Sequence, residues 1–138
     1  MSMDETTFAD LDLQKGIAAL PPNGENDMPL EAWYRAVWRT PVGKLTIGDL
    51  GRAVRQGVHL DIVVPLAVSA LQNDILSGEY YDGELLLSLC TVEQEFWRTH
   101  DTICESLCDI IDNSVSVVSR EGLPEVIVFR NLLANMIE

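Results

Sequence analysis

The sequence predicts an all-α fold, a single-domain helical bundle of about five to six helices. Three observations carry that expectation. Apolar residues recur at helical spacing along most of the chain, the segments have recognisable starts and stops, and no stretch shows the alternation of a half-buried sheet. A length of 138 residues suits one domain with a real core. With 47% hydrophobic and 22% charged residues, the composition is globular rather than disordered.

Residues 1–29 are the least regular part and read as a partly irregular N-terminal arm. One short apolar stretch spans 11–20, and Pro21-Pro22-Asn23-Gly24 marks a turn or linker. Residues 30–138 read as the helical domain proper. Its first helix places Leu30, Trp33, Tyr34, Val37 and Trp38 on one face, and Thr40-Pro41 ends it. The second opens on Thr46-Ile47-Gly48-Asp49, a capping-box form with Asp in place of Glu. Its stripe is Ile47, Leu50 and Val54, and Gly57 is its stop. The third, about 61–72, is apolar nearly all round and should be central in the core. Proline is tolerated only near a helix start, so Pro65 suggests that this helix begins a residue or two after Asp61.

A turn follows over 73–83, with Ser77-Gly78 and Asp82-Gly83 as its breakers. The fourth helix covers about 83–90, with Asp82 as N-cap. A fifth, about 93–113, carries the stripe Phe96, His100, Ile103, Leu107 and Ile111. Residues 114–119 are β-branched and serine-rich, which leaves a short strand and a frayed extension both open. Pro124 suits the first position of a last helix that faces inward with Val126, Phe129, Leu133 and Met136.

Charge is the anomaly. Nine Lys+Arg against 22 Asp+Glu give a formal charge of −13, which argues against nucleic acid and anionic membrane surfaces as partners. It favours a basic protein partner, whose approach it would accelerate. The excess is regional. Residues 35–73 hold five bases (Arg35, Arg39, Lys44, Arg52, Arg55) against two acids, whereas 74–112 hold ten acids and only Arg98. On the fifth helix Asp101, Glu105 and Asp109 form an i, i+4, i+8 line largely off the apolar stripe. Each like-charge i, i+4 pair is unfavourable by a few tenths of a kcal/mol. Either these acids pair with the bases of 35–55, or they face a basic partner, or they form a solvated face. The turn Glu79-Tyr80-Tyr81-Asp82-Gly83-Glu84 is a second contact candidate, because tyrosine brings large area with a polar tip. One of its tyrosines could instead pack beneath the turn.

No enzyme signature is present: no glycine-rich phosphate loop, His-Glu-x-x-His, Cys-x-x-Cys or Gly-x-Ser-x-Gly. The chain is therefore expected to be no enzyme and to need no cofactor or metal. His100, Cys104 and Cys108 share one face of the fifth helix, and imidazole and thiolate both suit zinc. Eight residues of helix rise about 12 Å, however, so the outer two cannot reach one ion. Packing residues are the favoured reading. The odd number of cysteines, Cys90, Cys104 and Cys108, reads as reduced thiols. The acidic start has no basic-plus-apolar signal pattern, and the longest apolar stretch, 58–71, is too short to span a bilayer. A cytoplasmic location is expected.

A family resemblance covers about residues 31–97. Arg39-Thr40-Pro41-Val42-Gly43-Lys44-Leu45-Thr46-Ile47-Gly48-Asp49-Leu50 leads to Val54-Arg55-Gln56-Gly57. Then come Val64-Pro65-Leu66-Ala67 and Leu76-Ser77-Gly78-Glu79-Tyr80-Tyr81-Asp82-Gly83-Glu84-Leu85-Leu86, with Phe96-Trp97 closing the block. This order resembles the immunity proteins of contact-dependent growth inhibition (CDI) systems. The resemblance implies a bacterial antitoxin that binds and neutralises the C-terminal toxin domain of a cognate effector, often a basic nuclease. It supplies no fixed functional residue. The residues expected to meet the toxin come from the charge and turn readings: Glu79, Tyr80, Tyr81, Asp82, Glu84, Asp101, Glu105 and Asp109. The alternative is an acidic adaptor or nucleic-acid mimic that binds a different basic host protein.

Overall fold

Every regular element among the described residues, 5–16, 29–121 and 123–137 of the computed structural model, is helical. Nine α-helices occur there, more than the five to six expected, because the segment about 93–113 is broken in two, part of the N-terminal arm is helical, and the open stretch 114–119 is a helix of its own. The chain divides into two units, Met1–Leu45 and Thr46–Glu138.

In the first unit, α1 (Phe8–Gln14) opens on a capping box. The Thr7 hydroxyl accepts from the Asp10 N–H and the Asp10 carboxylate accepts from the Thr7 N–H, both at 3.1 Å. This Thr-x-x-Asp is the same signal as at Thr46, and it makes part of the supposed irregular arm helical. The Pro21-Pro22-Asn23-Gly24 signal lies outside the described residues. α2 (Pro29–Val37) faces α1 through a polar latch: the buried Asp12 carboxylate accepts from the Tyr34 hydroxyl and the Trp38 Nε1–H, both at 2.8 Å. The Phe8 and Tyr34 rings stack at 5.4 Å. Burial first, and then the Asp12 carboxylate, hold the Tyr34 phenol's pKa well above its ordinary value.

The second unit holds α3 (Ile47–Gln56), α4 (Leu60–Asn73), α5 (Glu84–Leu89), α6 (Gln94–Arg98), α7 (Asp101–Asn113), α8 (Val115–Arg120) and α9 (Pro124–Ile137). α3 has the expected Thr46–Asp49 capping box and ends on Gly57, whose φ of 70° is the left-handed conformation that glycine adopts without strain. α4 is central, packed against α3, α5 and α7, and it buries Val63, Val64, Ala67, Val68 and Leu71. Leu85, Leu86 and Leu89 of α5 are almost completely buried, each stabilising by about 1.5–3 kcal/mol. At the other end, Trp97 and Phe129 meet edge to face at 5.7 Å, and α7 packs on α9.

Three expectations are corrected and one open alternative is settled. α4 begins at Leu60, before Asp61, and Pro65 lies inside it. The carbonyl that loses its helical donor belongs to Asp61, an exposed residue, so water can replace the bond. Asp82 is not the cap of α5; Gly83 occupies that position with φ 84°, and no side chain caps it. The supposed fifth helix breaks at Thr99–His100, whose N-cap His100 is non-helical. There the Thr99 hydroxyl donates to the Glu95 and Phe96 carbonyls at 3.2 and 3.0 Å, and the His100 ring stacks on Phe96 at 4.0 Å. Because His100 stays over Phe96, the apolar spacing runs through the break and hides it. Residues 115–120 are helix, which removes the strand alternative.

Candidate partner-binding surface

The turn after α4 is built by its own polar groups. Asp74 accepts from the Leu76 N–H at 3.0 Å through Oδ1, and its carbonyl accepts from the Ser77 N–H and hydroxyl at 3.1 and 2.7 Å. The Gly83 N–H donates to the Leu76 carbonyl at 2.9 Å, closing the loop. Glu84 then reaches back under it. Its Oε1 accepts from the Glu79 N–H at 2.7 Å and the Tyr80 N–H at 3.2 Å. Glu84 is only 7% exposed, so it builds the loop from below rather than belonging to the presented surface, against the sequence expectation.

What the pinned loop presents is Glu79, Tyr80, Tyr81 and Asp82. All four are exposed, Tyr80 at 81% and Tyr81 at 56%, so neither tyrosine packs under the turn. The Glu79 carboxylate lies directly over Gly48, in the first turn of α3, where a Cβ would take its space. That position is the partly positive end of a helix and favours an anion. Gly48, which the spacing argument used only as part of a capping box, therefore seats an acidic side chain of the turn.

On α7, Asp101, Glu105 and Asp109 are exposed while Cys104, Leu107, Cys108 and Ile111 face the core. Among the described residues no ion pair reaches these three carboxylates; Arg98–Glu95, Arg120–Glu121 and Arg130–Asp112 are bridges between other residues of the same stretch and α8–α9. Within the second unit, the acid line takes no ion pair from Arg52 or Arg55. Arg55 instead crosses Gly51 and donates to the Ser88 hydroxyl at 2.7 Å. Asp112 differs from its neighbours: Arg130 of α9 grips it with two hydrogen bonds, Nε to Oδ1 at 2.7 Å and Nη2 to Oδ2 at 2.8 Å. Those bonds hold its carboxyl below the usual range. The ends of α4 and α7 frame an open groove of about 320 Å³, lined by Leu71, Gln72, Ser106, Asp109, Ile110 and Asn113 among others.

The His100, Cys104 and Cys108 face serves packing. The Cys104 thiol donates to the Leu133 carbonyl at 3.6 Å, and burial pushes its pKa up to about 11. Burial, with Glu125 adding to it, pushes the Cys90 thiol to about 12. The His100 Nδ1 lies 2.8 Å from the Phe96 carbonyl. Among the described residues no group of three His, Cys, Asp or Glu side chains is placed to hold a metal ion.

The described helices thus fix a tyrosine-bearing acidic loop and turn the carboxylates of Asp101, Glu105 and Asp109 outward. The family model for CDI immunity proteins matches residues 17–107, and the chain belongs to that family. Its role is accordingly immunity against CDI toxins. The match extends beyond residues 31–97 on both sides, taking in the first half of α7 with Asp101 and Glu105. A search of the curated proteins gives no match. No helix among the described residues is long and apolar enough to cross a membrane.

Proposed function

We propose that the protein neutralises the C-terminal toxin domain of its cognate CDI effector by stoichiometric binding in the cytoplasm, as an inhibitor and not an enzyme. The toxin is a basic nuclease, met by Glu79, Tyr80, Tyr81 and Asp82 of the turn and by Asp101, Glu105 and Asp109 of α7. Glu84 acts beneath, holding the turn in shape.

One observation carries this reading: three carboxylates in line on α7 remain exposed and without an ion pair among the described residues, although the arrangement is locally unfavourable. A nuclease groove must hold phosphates and is basic, so such a line supplies the complementary potential. The turn adds what charge lacks. A loop pinned by Glu84 offers Tyr80 with little further ordering cost, and tyrosine is among the residues that anchor interfaces.

The test is co-expression with the toxin domain encoded beside the gene. Growth should be restored, and a one-to-one complex should co-purify. A neighbouring toxin that neither binds nor is neutralised refutes the function. Equal protection against unrelated nucleases would point instead to a general nucleic-acid mimic.

A further inference from the structure

We propose that the groove between the ends of α4 and α7 receives an arginine side chain of the toxin, with Asp109 as its counter-ion. This rests on the toxin-binding reading above and makes it specific: one basic side chain has a built socket. Both helices terminate at the groove, for Gln72 is the penultimate residue of α4 and Asn113 the last of α7. A helix C-terminus carries partial negative charge from its unpaired carbonyls, and basic residues normally answer it. Neither helix has a basic residue in its last turn. Asp109 adds a full negative charge to the same rim.

Arg130 of α9 does not fill this role. Arg130 feels the Asp109 charge, but its guanidinium is committed to Asp112 through two hydrogen bonds at 2.7 and 2.8 Å. The groove thus combines the C-termini of α4 and α7, the start of the six-residue α8 at Ser114, and a carboxylate that has no ion pair among the described residues; the full charge of Asp109 sets its sign.

Its lining selects guanidinium over ammonium. Ile110, half-buried on the groove wall, supplies apolar surface for an aliphatic stem and a flat, weakly hydrated head, above the buried Leu71. Around it stand residues that can accept hydrogen bonds in several ways: Asp109, Gln72, Asn113 and Ser106. A guanidinium brings five fixed donors to such a ring of acceptors, whereas an ammonium brings three and is more strongly hydrated.

Two measurements on the full chain test this. In the first, Nα-acetyl-arginine methylamide is titrated into ¹⁵N-labelled protein, with the lysine analogue in parallel. The amide signals of Ser106, Asp109 and Asn113 should shift with the arginine probe, less with lysine, and not in Asp109→Asn. An absent or Asp109-independent shift, or an equal response to lysine, overturns the arginine socket. In the second, toxin affinity is measured by calorimetry for the wild type, Asp109→Asn, Ser106→Trp (which fills the groove) and the remote control Glu95→Gln. Both groove variants should weaken binding at least tenfold and the control less than threefold. Wild-type affinity in Asp109→Asn, which has the same shape, overturns the inference even if Ser106→Trp misfolds. Should the wild type bind no neighbouring toxin, the toxin-binding function falls and with it the occupant proposed here, whatever the probe shows.

Discussion

Replacing Glu84 by alanine should separate the loop's architecture from its contact surface. The native carboxylate is 7% exposed and takes two backbone N–H groups on one oxygen, at 2.7 and 3.2 Å. A hydrogen bond to a charged group contributes about 1.5–3 kcal/mol net. The second bond is longer, and the freed N–H groups belong to the exposed residues Glu79 and Tyr80, which water can reach. The combined loss should therefore be about 2–3 kcal/mol rather than twice the single-bond value. Glu84→Gln keeps a neutral acceptor oxygen and should lose about 1 kcal/mol. With a urea slope of about 1–3 kcal/mol per M, the alanine variant's midpoint should fall by roughly 0.7–3 M. Chymotrypsin, which cleaves after tyrosine, should cut it at Tyr80 or Tyr81 faster than the wild type. A midpoint and a cleavage rate both equal to the wild type's would refute the loop-pinning role of Glu84.

Other consequences are as concrete. Gly83→Ala places a Cβ against the Leu123 side chain at a backbone φ of 84°, so stability should fall by about 1–2 kcal/mol in the same urea titration. Asp112 has a carboxyl held below its ordinary value, so the unfolded chain binds its proton more readily than the folded one. Its contribution should be complete above the ordinary carboxylate range and vanish as pH falls through the folded value. The effect should be small, because the Arg130 and Asp112 side chains are 32% and 45% exposed. Asp112→Asn should flatten that part of the acid-stability curve. The three cysteines should react slowly with a disulfide reagent at pH 8 and quickly after unfolding, since burial raises all three thiol pKa values, to about 12 for Cys90 and about 11 for Cys104. Fast reaction of Cys104 or Cys108 in the native protein would contradict their burial.

The parts of the fold that follow local rules were legible. Thr46 and Asp49 form the capping box their spacing indicated, Gly57 takes the left-handed stop, and Pro124 opens α9. Uniform apolarity correctly placed α4 at the centre. What was hidden depended on tertiary context. The break at Thr99–His100 is masked because ring stacking keeps His100 in line with Phe96. Pro65 is accommodated because the carbonyl it leaves unpaired belongs to an exposed residue, which periodicity does not reveal. Thr7 and Asp10 carry the same signal as Thr46 and Asp49, and reading it there would have located α1.

The candidate surface divides in the same way. Exposure of Tyr80, Tyr81 and the α7 acids follows from charge and spacing, and the structure agrees. The inversion at Glu84 does not follow, because a glutamate in an acidic turn looks like its neighbours until its carboxylate is seen folded back onto two N–H groups. The groove at Asp109 was equally invisible, since Gln72 and Asn113 are distant in sequence and meet only where two helices end.

The association rate with the cognate toxin as a function of salt tests the acidic docking surface most directly. Screening shortens the reach of exposed charges to about 8–10 Å at physiological ionic strength and to about 3 Å at 1 M. Stopped-flow rates for the wild type should fall at least about tenfold between low and high salt. The variant with Asp101, Glu105 and Asp109 all changed to Asn should start slower and respond far less. A wild-type rate that is indifferent to salt, or a variant that matches it at every ionic strength, would contradict docking through the acidic face.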